Sequence, residues 1–143
     1  MTITEIRNKD YESLRNLFLN ERQRTFSWLD PSEFQLDDFE KHIQGETVLV
    51  ALIDDIPVGF ISIWIPTNFI HHLYVDQKHQ GKNIGTELVK AAIEKTQFPI
   101  TLKCLQQNSK AIDFYRRKGF VEKEKGASDH GTYILFELLE NIN

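Results

Sequence analysis

Leu73-Tyr74-Val75-Asp76-Gln77-Lys78-His79-Gln80-Gly81-Lys82-Asn83-Ile84-Gly85-Thr86 changes character twice within one short stretch. An apolar run stops, a polar loop bearing Gly81 follows, and a helical pattern opens at once. A strand that feeds a helix through such a loop leaves the first N–H groups of the helix without partners. It also aims the positive end of the helix dipole at the loop. That arrangement receives phosphate, so the loop points to a phosphorylated ligand.

Working outward, residues 69–75 form the strand before the loop. The helix after it spans residues 84–96, with Ile84, Leu88, Ala91 and Ala92 on one side and Val89 and Ile93 broadening the stripe. Pro99 starts a further strand that ends near Leu105. Asn108 caps a helix running to Lys118, where Gly119 and Phe120 form a glycine stop. Upstream, residues 2–7 alternate like a strand, and Tyr11, Leu14, Leu17 and Phe18 follow at helical spacing. Asp30-Pro31-Ser32 breaks that helix; Ser32 with Gln35 has capping-box spacing, and Leu36, Phe39 and Ile43 form the stripe of a second one. Residues 47–53 and 56–65 read as a hairpin turning at Asp54-Asp55. Two closing strands lie near residues 120–123 and 132–138. The order β-α-α-β-β-β-α-β-α-β-β predicts an α/β fold: one mixed sheet with helices on both faces. The strands at 69–75 and 100–105 are expected to be parallel neighbours.

The chain has 143 residues, 41% of them hydrophobic and 27% charged, which suits one domain spanning residues 1–143. A formal net charge of −4 argues against a nucleic-acid partner and is compatible with a cationic substrate. The single cysteine, Cys104, forms neither an intramolecular disulfide nor a multi-thiolate metal site, and its apolar surroundings read as sheet or core. No stretch approaches membrane-spanning length and no apolar signal core opens the chain, so a cytoplasmic protein without a membrane partner is expected.

Gly81-Lys82 does not make a nucleotide P-loop, because Asn83 stands where Ser or Thr is needed and Asp76 where an earlier Gly is needed. The dinucleotide fingerprint fails for want of its second Gly. A second segment, Asn108-Ser109-Lys110-Ala111-Ile112-Asp113-Phe114-Tyr115-Arg116-Arg117-Lys118-Gly119-Phe120, is alone an ordinary amphipathic helix. Together the two segments resemble the GNAT superfamily of N-acetyltransferases. Gln80-Gly81-Lys82-Asn83-Ile84-Gly85 fits the family's Gln/Arg-x-x-Gly-x-Gly/Ala loop with Asn83 in place of the first glycine of that pattern, and Asn tolerates positive φ. Asn108, Ala111, Phe114, Tyr115, Gly119 and Phe120 match the family's later helix, and the element order matches its fold.

The resemblance implies acetyl-CoA as co-substrate, no metal, and an amine acceptor on a small molecule or a protein. It implies that two neighbouring strands splay to hold the pantetheine arm, as a strand is added to a sheet edge. Leu73 and Val75 would then offer main-chain contacts, and Gln80, Gly81, Lys82, Asn83, Ile84, Gly85 and Thr86 would wrap the diphosphate. Asn108 would reach the pantetheine from the other side. Tyr115 matches the family's general acid; its alternative is core packing. For the base, His71 and His72 are expected on opposite sides of a strand, with His71 beside Leu73 and Val75; a water chain is the alternative. Arg24, Phe26, Trp28, Trp64 and the Ser128-Asp129-His130 turn are candidate acceptor walls, and the aromatics with Asp30 or Asp129 would hold a small amine by cation–π contact and ion pairing. Phe26 and Trp28 also suit plain core closure. A catalytically silent acyl-CoA-binding module is the alternative function, and an edge strand in the closing hairpin leaves a homodimer open.

Overall fold

A computed structural model describes residues 1–141, so the last two residues of the expected 1–143 domain lie outside the described residues. The elements are β1 Thr2–Glu5, α1 Tyr11–Thr25, α2 Asp38–His42, β2 Thr47–Ile53, β3 Ile56–Trp64, β4 Phe69–Val75, α3 Ile84–Lys95, β5 Ile100–Leu105, α4 Ser109–Arg117, β6 Val121–Ser128 and β7 Gly131–Leu138. All seven strands form one mixed sheet in the order β1-β2-β3-β4-β5-β7-β6. The α/β class, the element order and the parallel β4–β5 pair all match the sequence reading.

Alternation along β2 explains the two-faced core. Leu49 and Ala51 pack under α3 and α4, whereas Val48, Val50 and Leu52 pack under α1 and α2. A strand covered on both faces needs apolar residues at every position, which is why β2 reads as an unbroken hydrophobic run. Phe18, Phe39 and Phe60 meet edge-on at 5.3–6.0 Å beneath α1 and α2, an arrangement aromatic quadrupoles favour.

Local chemistry sets the boundaries. The β2–β3 turn holds Asp54 and Asp55 at φ of 53° and 65°, the twist a two-residue hairpin needs. Asp55 is fixed there by Arg7 and Lys9, each at 2.6 Å. Helix α4 ends as expected: Phe120 N–H donates to the Tyr115 carbonyl at 3.0 Å, Gly119 N–H to Arg116 at 3.0 Å, and Gly119 has φ 96°.

Two local expectations are corrected. Ser32 and Gln35 do not cap a long helix; Asp30 caps a short 3-10 turn by accepting Ser32 N–H at 3.0 Å, and α2 starts separately at Asp38. Leu36 consequently stays 46% exposed while Phe39 is fully buried. The closing hairpin is also longer than read, because β6 continues to Ser128 through Glu122, Lys123, Glu124 and Lys125. These are poor strand formers, but they lie on an exposed sheet edge, where charge discourages strand addition.

Candidate active site

Strands β4 and β5 pair only at Phe69↔Thr101 and Ile70↔Leu102. Beyond these, β4 stays bound to β3 as far as Val75 and β5 stays bound to β7 as far as Leu105. The two strands therefore diverge, and residues 71–75 present a sheet edge without a strand partner on the β5 side. Such an edge accepts an extended, amide-bearing ligand by main-chain pairing.

The loop after β4 stands at the open end of this gap. Asp76 caps its first turn by accepting Lys78 N–H at 3.0 Å. Gly81 has φ +83°, and a Cβ there would meet nothing within 4 Å. Asn83 has φ 63° and ψ 16°, left-handed as its substitution for glycine requires. Its side chain makes no capping bond, so the first amides of α3 keep their donors for a ligand. Gly85 sits 3.4 Å from Phe114 when a Cβ is built on it, so the helix packs closely on α4 at this point. Lys82 is exposed and has no ion-pair partner among the described residues. The gap, the uncapped amides and the left-handed loop together fit a pantetheine diphosphate.

The side chain of Gln80 organises the loop. It donates to the Val75 carbonyl at 3.0 Å and accepts from Lys110 Nζ at 2.8 Å. Glu21, nearly buried on α1, accepts Gln77 N–H at 3.2 Å and pairs with Arg24. On the far side of the gap Asn108 is held as the cap of α4, accepting Ala111 N–H at 3.4 Å. Loop, α1 and α4 are thus joined around one opening.

Tyr115 on α4 is 8% exposed and packs edge-on against Phe114 and Phe120 at 5.3 and 5.5 Å. Its hydroxyl is held well above the usual phenol range, first by burial and then by the nearby Cys104 and Tyr74. Burial also pushes the Cys104 thiol up to about 11, so it is protonated and a poor nucleophile.

The histidines depart from the sequence reading. Ser62 pairs with His72 but Ile63 with Ile70, so His71 is the extra residue of a β-bulge. A bulge breaks strict alternation, and both imidazoles emerge on the α1–α2 face instead of on opposite faces. Their rings stack 3.8 Å apart, and His42 from α2 stacks at 6.2 Å from His71 and 5.5 Å from His72. His71 is therefore not on the side of Leu73 and Val75, which pack against the α3–α4 cluster. Its Nδ1 lies 2.6 Å from Glu46 Oε2. His72 is held neutral by burial, then by His71, His42 and Arg22.

Trp28 lines a cavity of about 450 Å³ with Leu105, Gln106, Gln107, His130, Gly131 and Thr132, at the end of β5 beneath the β6–β7 turn. Phe26 supports Trp28 edge-on at 5.5 Å. His130 Nε2 reaches Glu33 at 3.4 Å, linking the hairpin tip to the segment after α1. Trp64 is not part of this group; its ring lies over Gly45, and it does not line the cavity.

Sequence reasoning missed Glu46, Glu21 and Lys110. Glu46 is 25 residues from His71, and only the β2–β3–β4 register, which sets Thr47 against Ile63 and Ile63 against Ile70, makes them meet.

A family model described as the acetyltransferase (GNAT) family matches residues 8–120. An uncharacterized N-acetyltransferase of Methanocaldococcus jannaschii is 36% identical over 89 residues, covering 52% of this chain and 39% of that relative. This chain thus matches well under two thirds of the relative's length. Apo-form YjaB from Escherichia coli superposes with a TM-score of 0.80 at 22% identity, covering 96% of this chain and 98% of the other. A PaiA N-acetyltransferase from Thermoplasma acidophilum, solved in complex with coenzyme A, gives 0.75 at 20% identity, covering 96% and 99%.

Proposed function

Because this chain belongs to the acetyltransferase (GNAT) family, we propose that it transfers an acetyl group directly from acetyl-CoA to an amine. The observation that carries this reading is the gap between β4 and β5, opening onto a loop whose helix amides are uncapped. Acetyl-CoA supplies the acyl thioester; the chain supplies placement and proton handling. The β4 edge at Leu73 and Val75 takes the pantetheine amides and offers N–H donors to the carbonyl oxygen as it gains negative charge. The amides from Gln80 to Thr86 and the α3 dipole hold the diphosphate.

Two protons must be managed. An alkylamine of ordinary basicity is unprotonated in only about one part in two thousand at neutral pH. As the C–N bond forms and the C–S bond breaks, with its electron pair leaving on sulfur, a bridging water carries the proton from nitrogen to His71 Nε2, which lies outside the cavity lining. The Tyr115 hydroxyl delivers one to sulfur, and exchange with solvent restores both side chains. Burial keeps the Tyr115 proton in place before the reaction but also weakens the phenol as an acid, so the acid role rests on the place of Tyr115 in the family's helix motif and not on its pKa. The cavity under Trp28 is the proposed acceptor space, with Trp28 and Phe26 as its aromatic wall and Trp64 left out.

The test is thiol release from acetyl-CoA across a panel of amines, comparing wild type with Tyr115→Phe, alongside calorimetric titration with CoA. Unaltered CoA affinity with turnover reduced about 100-fold or more supports the acid assignment. Binding without acetylated product from any amine would instead indicate a silent acyl-CoA-binding module. Asn83, the loop's one departure from the family pattern, keeps the left-handed turn.

A further inference from the structure

Glu46 is the one carboxylate of the stacked-histidine cluster that bonds an imidazole, and no role in the reaction has been assigned to it. Its side chain is 7% exposed, with Oε2 bonded to His71 Nδ1 and Oε1 buried without a hydrogen-bond partner among the described residues. An ionised carboxylate only accepts, so the shared proton sits on Nδ1, and in the neutral ring Nε2 is then the nitrogen that carries the lone pair. The bulge at His71 adds the second half of the device: it turns this ring onto the face that carries His42 and His72. Arg22 on α1 and Asp38 on α2 are the charged groups on the His42 side. His42 and His72 are disfavoured as cations, first by burial and then by Arg22 and His71, which for His42 Asp38 and Glu46 only partly offset.

We propose that Glu46 is a positioning residue for His71, holding the imidazole as its Nδ1–H tautomer so that Nε2 is the open proton acceptor. This rests on the reading of His71 as the base. Glu46 touches no reacting atom; it selects the tautomer and fixes the ring plane, as carboxylates behind ligand or catalytic histidines do.

Two readouts test the proposal separately from that reading. Long-range 15N–1H correlation spectra of the histidine rings, recorded on the protein alone above about pH 8, where free imidazole is neutral, report the tautomer. Wild type is expected to show Nδ1–H at His71, and Glu46→Ala a shift toward Nε2–H. Glu46→Leu keeps the bulk without an acceptor and serves where the alanine variant does not fold, which CoA titration shows. Acetyl-CoA turnover, with the amine from the panel that wild type uses fastest, is expected to drop about tenfold or more in the Glu46 variants, part of what a general base contributes. Wild-type turnover in His71→Gln removes His71 as the base, whatever Glu46 does. A large loss in His71→Gln, with either the tautomer or the turnover unmoved in the Glu46 variants, overturns the proposal and leaves the base standing. An Nε2–H tautomer in wild type overturns it at once, with no acceptor needed.

Discussion

Asn83→Val puts the phosphate loop to a quantitative test. Asn83 holds φ 63° at an exposed position immediately before α3 and uses its side chain for no capping bond. Valine therefore loses no interaction, and its whole effect is conformational. A β-branched residue in the left-handed region is less favourable by about 1–2 kcal/mol, a conformation Asn visits readily and Gly adopts freely. If the free loop relaxes to escape the strain, CoA binding must restore the turn. Affinity then falls about 5- to 30-fold, at tenfold per 1.4 kcal/mol. If the loop does not relax, the same free energy appears as lost stability. Calorimetry with CoA and thermal melts of the free protein measure the two shares, which should sum to about 1–2 kcal/mol. Asn83→Gly is the control and should bind CoA at least as well as wild type. A valine variant that keeps both its affinity and its melting temperature would refute the idea that this turn forms the phosphate receptor.

Further expectations concern the buried ionisable groups. Cys104, 7% exposed and raised to about 11 from 9.0, should react with a disulfide reagent at pH 8 about a hundredfold more slowly than a free thiol; a rate near that of glutathione would contradict its burial. Asp10→Asn should lower stability by about 2–4 kcal/mol in denaturant titration, because Asp10 is 1% exposed and accepts from Arg7 backbone and side chain. Burial pushes the Asp10 carboxyl up but the Arg7 bonds outweigh it, so its pKa is lowered. Its contribution is thus complete above the ordinary carboxylate range and lost as pH falls, and the asparagine variant should show a flatter acid limb. For His72, burial holds the folded ring neutral while the unfolded ring protonates below about pH 6.5. Stability should therefore fall with decreasing pH by at most about 1.4 kcal/mol per unit for this one proton. Replacing His72 with Phe, which suits the adjoining Phe18 ring 4.9 Å away, should weaken that dependence in melts between about pH 7.5 and 5.5.

Local patterns carried the architecture. Short-range rules governed the Asn108 cap and the Gly119 stop, because each is satisfied by bonds within a few residues, and the Asp54-Asp55 turn, because its backbone twist is local. The crossover through α3 made β4 and β5 parallel neighbours, and Asn83 kept its left-handed turn, both as read. The same loop and helix motifs gave the family resemblance, since phosphate binding by backbone amides depends on a contiguous stretch of chain.

Other features arose only where distant segments met. His71 itself is the unpaired residue of β4, opposite the Ser62–Ile63 step of β3, and that slip turned it to the other face; no alternation rule applied to the linear chain contains it. The meeting of Glu46 with His71, the bridge from Gln80 to Lys110, and the separation of Trp64 from Trp28 all follow from how the strands and helices pack. Main-chain chemistry is written in runs of neighbouring residues and can be read there. Side-chain partnership depends on register and on long-range packing, and it exists only once the sheet has formed.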